Sequence, residues 1–316
     1  MPIHLQPMSR RRFLVSTAVA AAGMTFTPRA FSDELERIAL FSDTHIAADP
    51  ATRRSNVNMT EHLKRVVQEV VKRPVLPSSV FINGDCAFNK GELGDYGTFL
   101  KLLTPLLEKE LPVHLTLGNH DERQHFWQAT PWGERSARPV QDRQVGMVST
   151  RFANWFLLDS LRETNETPGE FGPSQLEWLD LMLKTHVDKP AIVMGHHNVN
   201  QTPMFKESIK TVVDVAGRRL TPAGIKDTDA FLEVLAGHAH VAAYFCGHTH
   251  QWNVLEWKGI HFVNLPVVAY KFLPEDPAGW VAAELSSSGM SLELRALEEG
   301  HKCHGQKVVI DWRKAG

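Results

Sequence analysis

The sequence predicts an α/β fold built on two mixed sheets. Three observations carry that expectation. Short apolar runs alternate with helical patterns from residue 37 to residue 121, which implies parallel strands joined by crossover helices. The runs are almost unbroken, as strands buried on both faces must be. Beyond residue 251 the texture changes to hairpins, which imply antiparallel strands. A chain of 316 residues, 43% hydrophobic, can bury a sizeable core in one large domain or two small ones. It shows no repeat of 20–50 residues, no low-complexity tract and, after the leader discussed below, no composition break.

In order, RIALFSD (37–43) reads as a buried strand and MTEHLKRVVQEVVKR (59–73) as a helix that Pro74 ends. SSVFINGD (78–85) is a second strand. YGTFLKLLTPLLEKE (96–110) is a second helix, with a kink expected at Pro105. PVHLTLGNHD (112–121) is a third strand running into a turn. Residues 122–148 read as a long irregular loop, and it carries Trp127 and Trp132. TRFANWFLLDS (150–160) is a strand, and PSQLEWLDLMLKTH (173–186) a helix with proline in its first turn. KPAIVMGHH (189–197) is a strand with a loop. TDAFLEVLAGHAH (228–240) is a helix with Gly237 as its C-cap, and VAAYFCGHTH (241–250) a strand with a loop. WNVLEWKGIHFVNLP turns at Lys258-Gly259, and WVAAELSSSGMSLELRAL turns around Ser288-Gly289; both hairpins are expected to complete the second sheet.

Residues 1–32 form a separate object. Arg10, Arg11 and Arg12 precede an apolar, Ala-rich stretch too short for a comfortable membrane span, and Ala30-Phe31-Ser32 offers a cleavage site. Ser9-Arg10-Arg11-Arg12-Phe13-Leu14 resembles the twin-arginine export signal, S-R-R-x-F-L; the alternatives are a general secretory signal or an uncleaved anchor. The resemblance implies a partner in the twin-arginine export machinery, a periplasmic or secreted protein, and no stable transmembrane span after cleavage. Removal of 1–32 leaves 30 basic against 36 acidic side chains, a net charge of −6. Such a chain, with no basic run, is ill suited to binding a nucleic-acid backbone. Three cysteines, Cys86, Cys246 and Cys303, argue against a disulfide framework and read as small buried hydrophobes, with one disulfide as the alternative.

Sixteen histidines against three tyrosines invite a search for metal ligands. Asp43-x-His45 follows the first strand, Gly84-Asp85 the second, and Gly118-Asn119-His120-Asp121 the third. Gly195-His196 follows KPAIVM, and Gly247-His248-Thr249-His250 follows VAAYFC. Parallel sheets bind ligands at the carboxyl ends of their strands, so these five groups are expected to converge on one rim. A second G-H-x-H, Gly237-His238-Ala239-His240, follows a predicted helix instead. Histidine there suits the helix dipole and needs no metal.

Asp43, His45, Asp85, Asn119, His196, His248 and His250 are seven ligands, too many for one ion. With Asp85 shared, they supply two ions with four contacts each and leave room for a shared water or hydroxide. The mixed oxygen and imidazole set, without thiolate, suits Mn, Fe, Co or Zn. His196 reads as the ligand, with His197 the alternative to it; otherwise His197 stands behind the ligands or faces substrate. His62, His114, His125, His186, His261, His301 and His304 have no motif context and read as structural or surface histidines.

D-x-H, G-D, G-N-H-D, G-H and G-H-x-H, in this order over residues 36–264, resemble the calcineurin-like metallophosphoesterase superfamily. The resemblance implies a four-layer αββα sandwich, two mixed β-sheets flanked by helices, as a single domain over 33–316. It implies one metal held by Asp43, His45, Asp85 and His250, and a second by Asp85, Asn119, His196 and His248. It also implies that His120 contacts phosphate and protonates the leaving group, with Asp121 orienting its ring or only capping a turn. The expected activity is hydrolysis of a small phosphate ester by a metal-bridging hydroxide. The alternative is a binding module that kept the fold without turnover. Two departures narrow the subfamily. The segment Gly84-Asp85-Cys86-Ala87-Phe88-Asn89-Lys90-Gly91 lacks the arginine of the protein Ser/Thr phosphatase motif, and Phe88 replaces the tyrosine ligand of purple acid phosphatases. The pattern is closer to class III cyclic-nucleotide phosphodiesterases, which favours diesters over monoesters. An exported member need not act on a cytosolic messenger.

Overall fold

The pleat of a strand sends alternate residues to opposite sides. In Glu36–Ser42, Ile38 and Leu40 pack on one side, and Ala39 and Phe41 on the other. In Asn154–Leu157, Trp155 and Leu157 face Ile38 and Leu40, while Phe156 packs away from them. In Ala191–Met194 the same split separates Ile192 and Met194 from Ala191 and Val193. Strands apolar on both faces must be covered twice, and three apolar layers result. The middle layer lies between the sheets, where Phe81 of one stacks on Trp155 of the other at 4.5 Å between ring centroids. Helices seal the outer layers with residues such as Leu63, Val66 and Leu103 on one side and Leu179, Leu183 and Leu232 on the other. Each such side chain contributes about 1.5–3 kcal/mol by burial. The architecture is the expected αββα sandwich.

The computed structural model describes residues 4–5, 35–130, 138–214 and 223–312. The chain begins with β1 (His4–Leu5) and β2 (Glu36–Ser42), then a small hairpin of β3 (Arg53–Arg54) and β4 (Val57–Asn58). Helix α1 (Met59–Val71), β5 (Ser79–Asn83), α2 (Leu93–Glu108) and β6 (Val113–Thr116) follow. The middle of the chain gives α3 (Arg123–Ala129), β7 (Gly146–Ser149), β8 (Asn154–Leu157), α4 (Pro173–Thr185) and β9 (Ala191–Met194). Next come α5 (Pro203–Lys206), β10 (Ile209–Asp214), α6 (Thr228–Ala236) and β11 (Val241–Cys246). Two hairpins, β12 (Asn253–Trp257) with β13 (Ile260–Asn264) and β14 (Gly279–Leu285) with β15 (Gly289–Ala296), precede β16 (Lys307–Asp311). One sheet has the order β1-β6-β5-β2-β14-β15-β16 and the other β10-β12-β13-β11-β9-β8-β7. Parallel pairing of β2, β5 and β6, and of β8, β9, β11 and β13, puts the carboxyl ends of these strands on one edge of each sheet.

Three expectations need correction. The second hairpin does not join the second sheet. β14 pairs antiparallel with the free edge of β2, because Val281, Ala283 and Leu285 extend the apolar layer that Ile38 and Leu40 begin. The loop 122–148 is not structureless. It contains α3, whose start is capped by the Glu122 carboxylate accepting from His125 N at 2.6 Å, and β7; Trp127 is buried. Helix α2 begins at Leu93 and continues through Pro105. Gly237 caps α6 as expected, in right-handed backbone with φ −66. α5, β10 and β16 carried no clear sequence signal. Lys258 and Gly259 do turn the first hairpin, both at positive φ. The three cysteines are buried and free. The leader 1–32, apart from 4–5, and Trp132 lie outside the described residues.

Candidate metal centre

The two edges meet where the chain turns sharply after β2, β5 and β11. Asp43, His45, Asp85, His248 and His250 all have positive φ, between 45° and 65°, a conformation uncommon for residues with side chains. These turns swing side chains away from the strand direction and into the gap between the sheets. Close approach is essential. A Cβ on Gly84 would strike the His196 ring, and one on Gly247 would strike Ser42 and Asp43. The sheets are tied directly here: Asn83 Nδ2 donates to Gly195 O at 3.1 Å, and His196 Nδ1 lies 3.1 Å from Asn83 O.

Seven of the eight expected residues fall in overlapping groups of ligand atoms. Asp43, His45 and His250 place ligand atoms within 4.8 Å of one another, and so do Asp85, His196 and His248. Asp85 stands between the two groups, its Oδ2 being 3.6 Å from His45 Nε2 and 3.2 Å from His196 Nε2. Asp43 Oδ1 is 3.4 Å from His250 Nε2 and 3.7 Å from His196 Nε2. Asn119, the expected fourth ligand of the second group, is 4% exposed on the loop after β6, next to His120. His120 is half-buried on the open side, close enough to form a further triplet with His45 and Asp85.

The hydrogen bonds identify the free atoms. Nδ1 of His45, His196 and His250 faces Phe88 O, Asn83 O and Tyr270 O, at 3.3, 3.1 and 2.6 Å. A carbonyl can only accept, so these Nδ1 atoms carry hydrogen and each neutral ring turns an Nε2 lone pair inward. His45 Nε2 and His250 Nε2 are 3.1 Å apart. Two lone pairs at that distance repel unless a cation is beside them. His196 Nε2, His248 Nε2 and Asn119 Oδ1 are buried without a hydrogen-bond partner; the contact of His196 with Asp85, although 3.2 Å long, lacks hydrogen-bond geometry. Leaving such atoms unpaired is costly, and ligation of cations would satisfy all of them at once. The donor set therefore fits two cations.

Charge agrees. Burial alone would raise the pKa of Asp43 and Asp85, but His196 and the other imidazoles reverse this and hold both below the usual carboxylate range. Burial pushes His45 and His248 down to about 3. His196 differs: burial opposes its charge, yet Asp85 and Asp43 raise it to about 9. Two ionised carboxylates in a buried pocket attract positive charge.

The structure changes one assignment beside the ligands. Asp121 does not orient His120. Its carboxylate accepts from the backbone N–H of Gly118, Cys86 and Ala87, at 2.9–3.2 Å, and from the Tyr96 hydroxyl at 3.1 Å, so it pins the loops after β5 and β6 together. Burial, and then Asp85, push its pKa to about 6. The His120 ring is held instead by Asn89 O, 3.0 Å from Nδ1, while the His120 backbone N–H donates to Asp85 Oδ1 at 2.8 Å. His197 has Nδ1 on Ser160 Oγ at 2.8 Å and its ring 4.5 Å from that of His248, and it is His196 whose ligand atom groups with Asp85 and His248. Ser42, whose hydroxyl donates to Asp43 Oδ2 at 2.5 Å, was not anticipated; its only sequence signal is adjacency to Asp43. The first G-H-x-H lies elsewhere: His238 Nε2 bonds Asp180 Oδ1 on α4 at 2.8 Å.

Known proteins resemble this chain in sequence and fold. A probable cyclic nucleotide phosphodiesterase of Synechococcus sp. is 26% identical over 80% of this chain and 88% of its own length. The 3′,5′-cyclic adenosine monophosphate phosphodiesterase of Pseudomonas aeruginosa is 26% identical over 74% of this chain and 76% of its own. Among solved structures, a dimetal phosphatase from Danio rerio superposes with a TM-score of 0.65 at 16% identity, covering 88% of this chain and 99% of that one. The Plasmodium protein GAP50, described as the anchor in the inner membrane complex, shares the fold with a TM-score of 0.52 at 12% identity, over 89% of this chain and 90% of that one. Residues 36–252, more than half of the chain, match the calcineurin-like phosphoesterase family. The chain therefore belongs to the calcineurin-like phosphoesterases and is by class a hydrolase of phosphoric esters.

Proposed function

We propose that this protein is a dinuclear metal-dependent hydrolase of small phosphate esters that prefers diesters to monoesters. One observation carries the reading: Asp43, His45, Asp85, His196, His248 and His250, from four strand ends, bring carboxylates and buried imidazole nitrogens together beside His120, and Asn119 Oδ1 is buried without a partner. Asp43, His45, Asp85 and His250 would hold one cation, and Asp85, Asn119, His196 and His248 the other. Mn, Fe, Co and Zn suit such ligands. When bound, two such cations clamp phosphate oxygens and make water nucleophilic near neutral pH. The chain's own residues do the rest. Asn89 O and the Asp85–His120 backbone contact fix the His120 ring, so that its Nε2 can hand a proton to the leaving oxygen. The diester preference is supported by the names of the relatives, which are cyclic nucleotide phosphodiesterases.

A shared fold does not by itself imply turnover. The test is metal content measured together with turnover of bis(p-nitrophenyl) phosphate against p-nitrophenyl phosphate. Two metals per chain with faster diester hydrolysis is the expected result. Metals without turnover of either ester would leave a binding module.

Residues 1–32 are proposed as a twin-arginine-type signal ahead of a single domain over 33–316, delivering a periplasmic or secreted enzyme. Among the described residues no helix is long and apolar enough to cross a membrane. Folding before export would fix which ions are captured, since binding and folding are coupled. Arg10→Lys with Arg11→Lys, and more strictly with Arg12→Lys, should retain a folded, active precursor in the cytoplasm. Normal export of the triple variant would point to a general secretory signal.

A further inference from the structure

Phe272 is the only aromatic residue among the large hydrophobics that are exposed in the described part of the chain, and it is 48% exposed. It is not on a remote surface. Its ring stacks on the buried His250 ring, with 4.0 Å between centroids and 4° between planes. Such a stack uses one face of the phenyl ring and leaves the other flat and open to water. The loop that presents it is fixed. Val268 N and Ala269 N donate to Ser42 O and Asp43 O, at 2.9 and 3.1 Å, and His62 Nδ1 lies 3.0 and 2.8 Å from the carbonyls of Val268 and Ala269. Tyr270 closes the inner side, its ring 5.0 Å from His45 and 5.1 Å from His250, with the Arg54 guanidinium 5.5 Å from its centroid. Phe272 also lines a groove of about 330 Å³ with Ser55, Val57, His62 and Lys271.

We infer that the outer face of Phe272 is a specificity-determining platform, on which a planar aromatic group carried by the phosphate ester stacks while the phosphate lies at the metal centre. This rests on the proposed metal-dependent phosphoesterase reading. The physical case has three parts. A half-exposed phenyl ring is costly in water and gains by being covered. A rigid ring offers stacking without ordering entropy. Its place against His250 puts it one ring thickness from the ligand cluster, within reach of a group attached to a bound phosphate. Stacking tolerates any flat π-face, so the selected class is aryl and nucleobase-bearing esters over esters of glycerol or of a bare sugar.

The test compares adenosine 5′-phosphate with ribose 5-phosphate as inhibitors of the metal-loaded enzyme hydrolysing bis(p-nitrophenyl) phosphate. The two share a phosphate and a sugar and differ in the ring. The wild type should bind the nucleotide roughly 5- to 100-fold more tightly, the range expected for stacking on one aromatic face. Phe272→Ala should lose most of that ratio with metal content unchanged. Phe272→Trp should keep it, and Phe272→Leu, which still covers His250 with an apolar side chain, should behave like the alanine variant. Equal inhibition by the two phosphates in the wild type would overturn the inference. So would an alanine variant that weakens both inhibitors equally or loses metal, since Phe272 would then only support His250. An enzyme that holds metals but hydrolyses nothing would instead defeat the hydrolase reading, and direct binding of the two phosphates would still decide the stacking question.

Discussion

The two copies of G-H-x-H, ten residues apart, differ in almost everything except their letters. Gly237-His238-Ala239-His240 leaves a helix, and Gly237 keeps ordinary right-handed backbone. His238 reaches sideways to Asp180 and ties α6 to α4. Gly247-His248-Thr249-His250 leaves a buried parallel strand. Gly247 has no room for a side chain against Ser42 and Asp43, and both histidines adopt left-handed backbone at φ 65° and 55°. That backbone aims both rings into one gap, where carboxylates from the other sheet are waiting. A motif of four letters therefore carries chemistry only through the element that precedes it. A strand end shared by two sheets supplies partners from many strands, whereas a helix end offered one partner on a neighbouring helix.

The largest expected effect lies on the carboxylate that the second copy needs most. Asp85 faces both ligand groups, so Asp85→Ala should leave fewer than two metals per chain and abolish measurable turnover. If alanine prevents folding, Asp85→Asn keeps the shape and removes the charge. Retention of two metals by either variant would show that Asp85 is not shared. Next, His248→Ala with His250→Ala removes one inward ring from each group. Metal affinity should fall by more than the roughly 10–100-fold that outer partners of ligands contribute. A double variant that loads normally would erase the distinction between the copies.

His120→Ala should act on the same gap without emptying it. Turnover should slow by about 10²–10⁴-fold, the usual range for a lost proton donor, with both metals kept. An ester that releases p-nitrophenolate should suffer least, because that anion leaves without much protonation. An ester with an alkoxide leaving group should suffer most. Equal losses across leaving groups of widely different pKa would make His120 a binding residue only. Loss of a metal would make it a ligand, as its nearness to His45 and Asp85 allows.

The same contrast explains what the sequence let one read. The grouping of Asp43, His45, Asp85, His196, His248 and His250 was legible because each follows a short buried strand, and a parallel strand's carboxyl end has a defined address. What holds them was not. His45, His196, His250 and His120 are oriented by the carbonyls of Phe88, Asn83, Tyr270 and Asn89, and a carbonyl belongs to every residue type. Asp121 was misjudged through its adjacency to His120; the turn carries its carboxylate inward to three N–H groups instead. The sheet joined by β14 depends on pairing between Ala282 and Ala39, far apart in sequence, and no local pattern encodes that choice. The seven residues of α3 span two turns, too few for a helical period to show.

The smallest effect is expected from the first copy. His238→Ala with His240→Ala should leave metal content and turnover at wild-type levels, because neither ring belongs to the ligand cluster. Stability should change a little. The Asp180 carboxylate is held below the usual carboxylate range, first by Lys184 and then by His238, and its side chain is 36% exposed. Exposed pairs of this kind contribute up to about 1 kcal/mol. For a domain of this size that is a fall in Tm of about 2–4 °C. The pH dependence fixes the origin. A carboxylate whose folded pKa is depressed stabilises the fold above its ordinary pKa near 4, and that contribution disappears as the pH falls through the depressed value. The difference in Tm between the double variant and the wild type should therefore be present at pH 6 and shrink at the acid end. It should be measured with metals stripped from both proteins, so that acid release of metal does not enter. Lys184→Ala, removing the larger cause, should show the same pH trend with a larger amplitude. A double variant that loses metal at pH 6 would mean that the first copy reaches the centre after all.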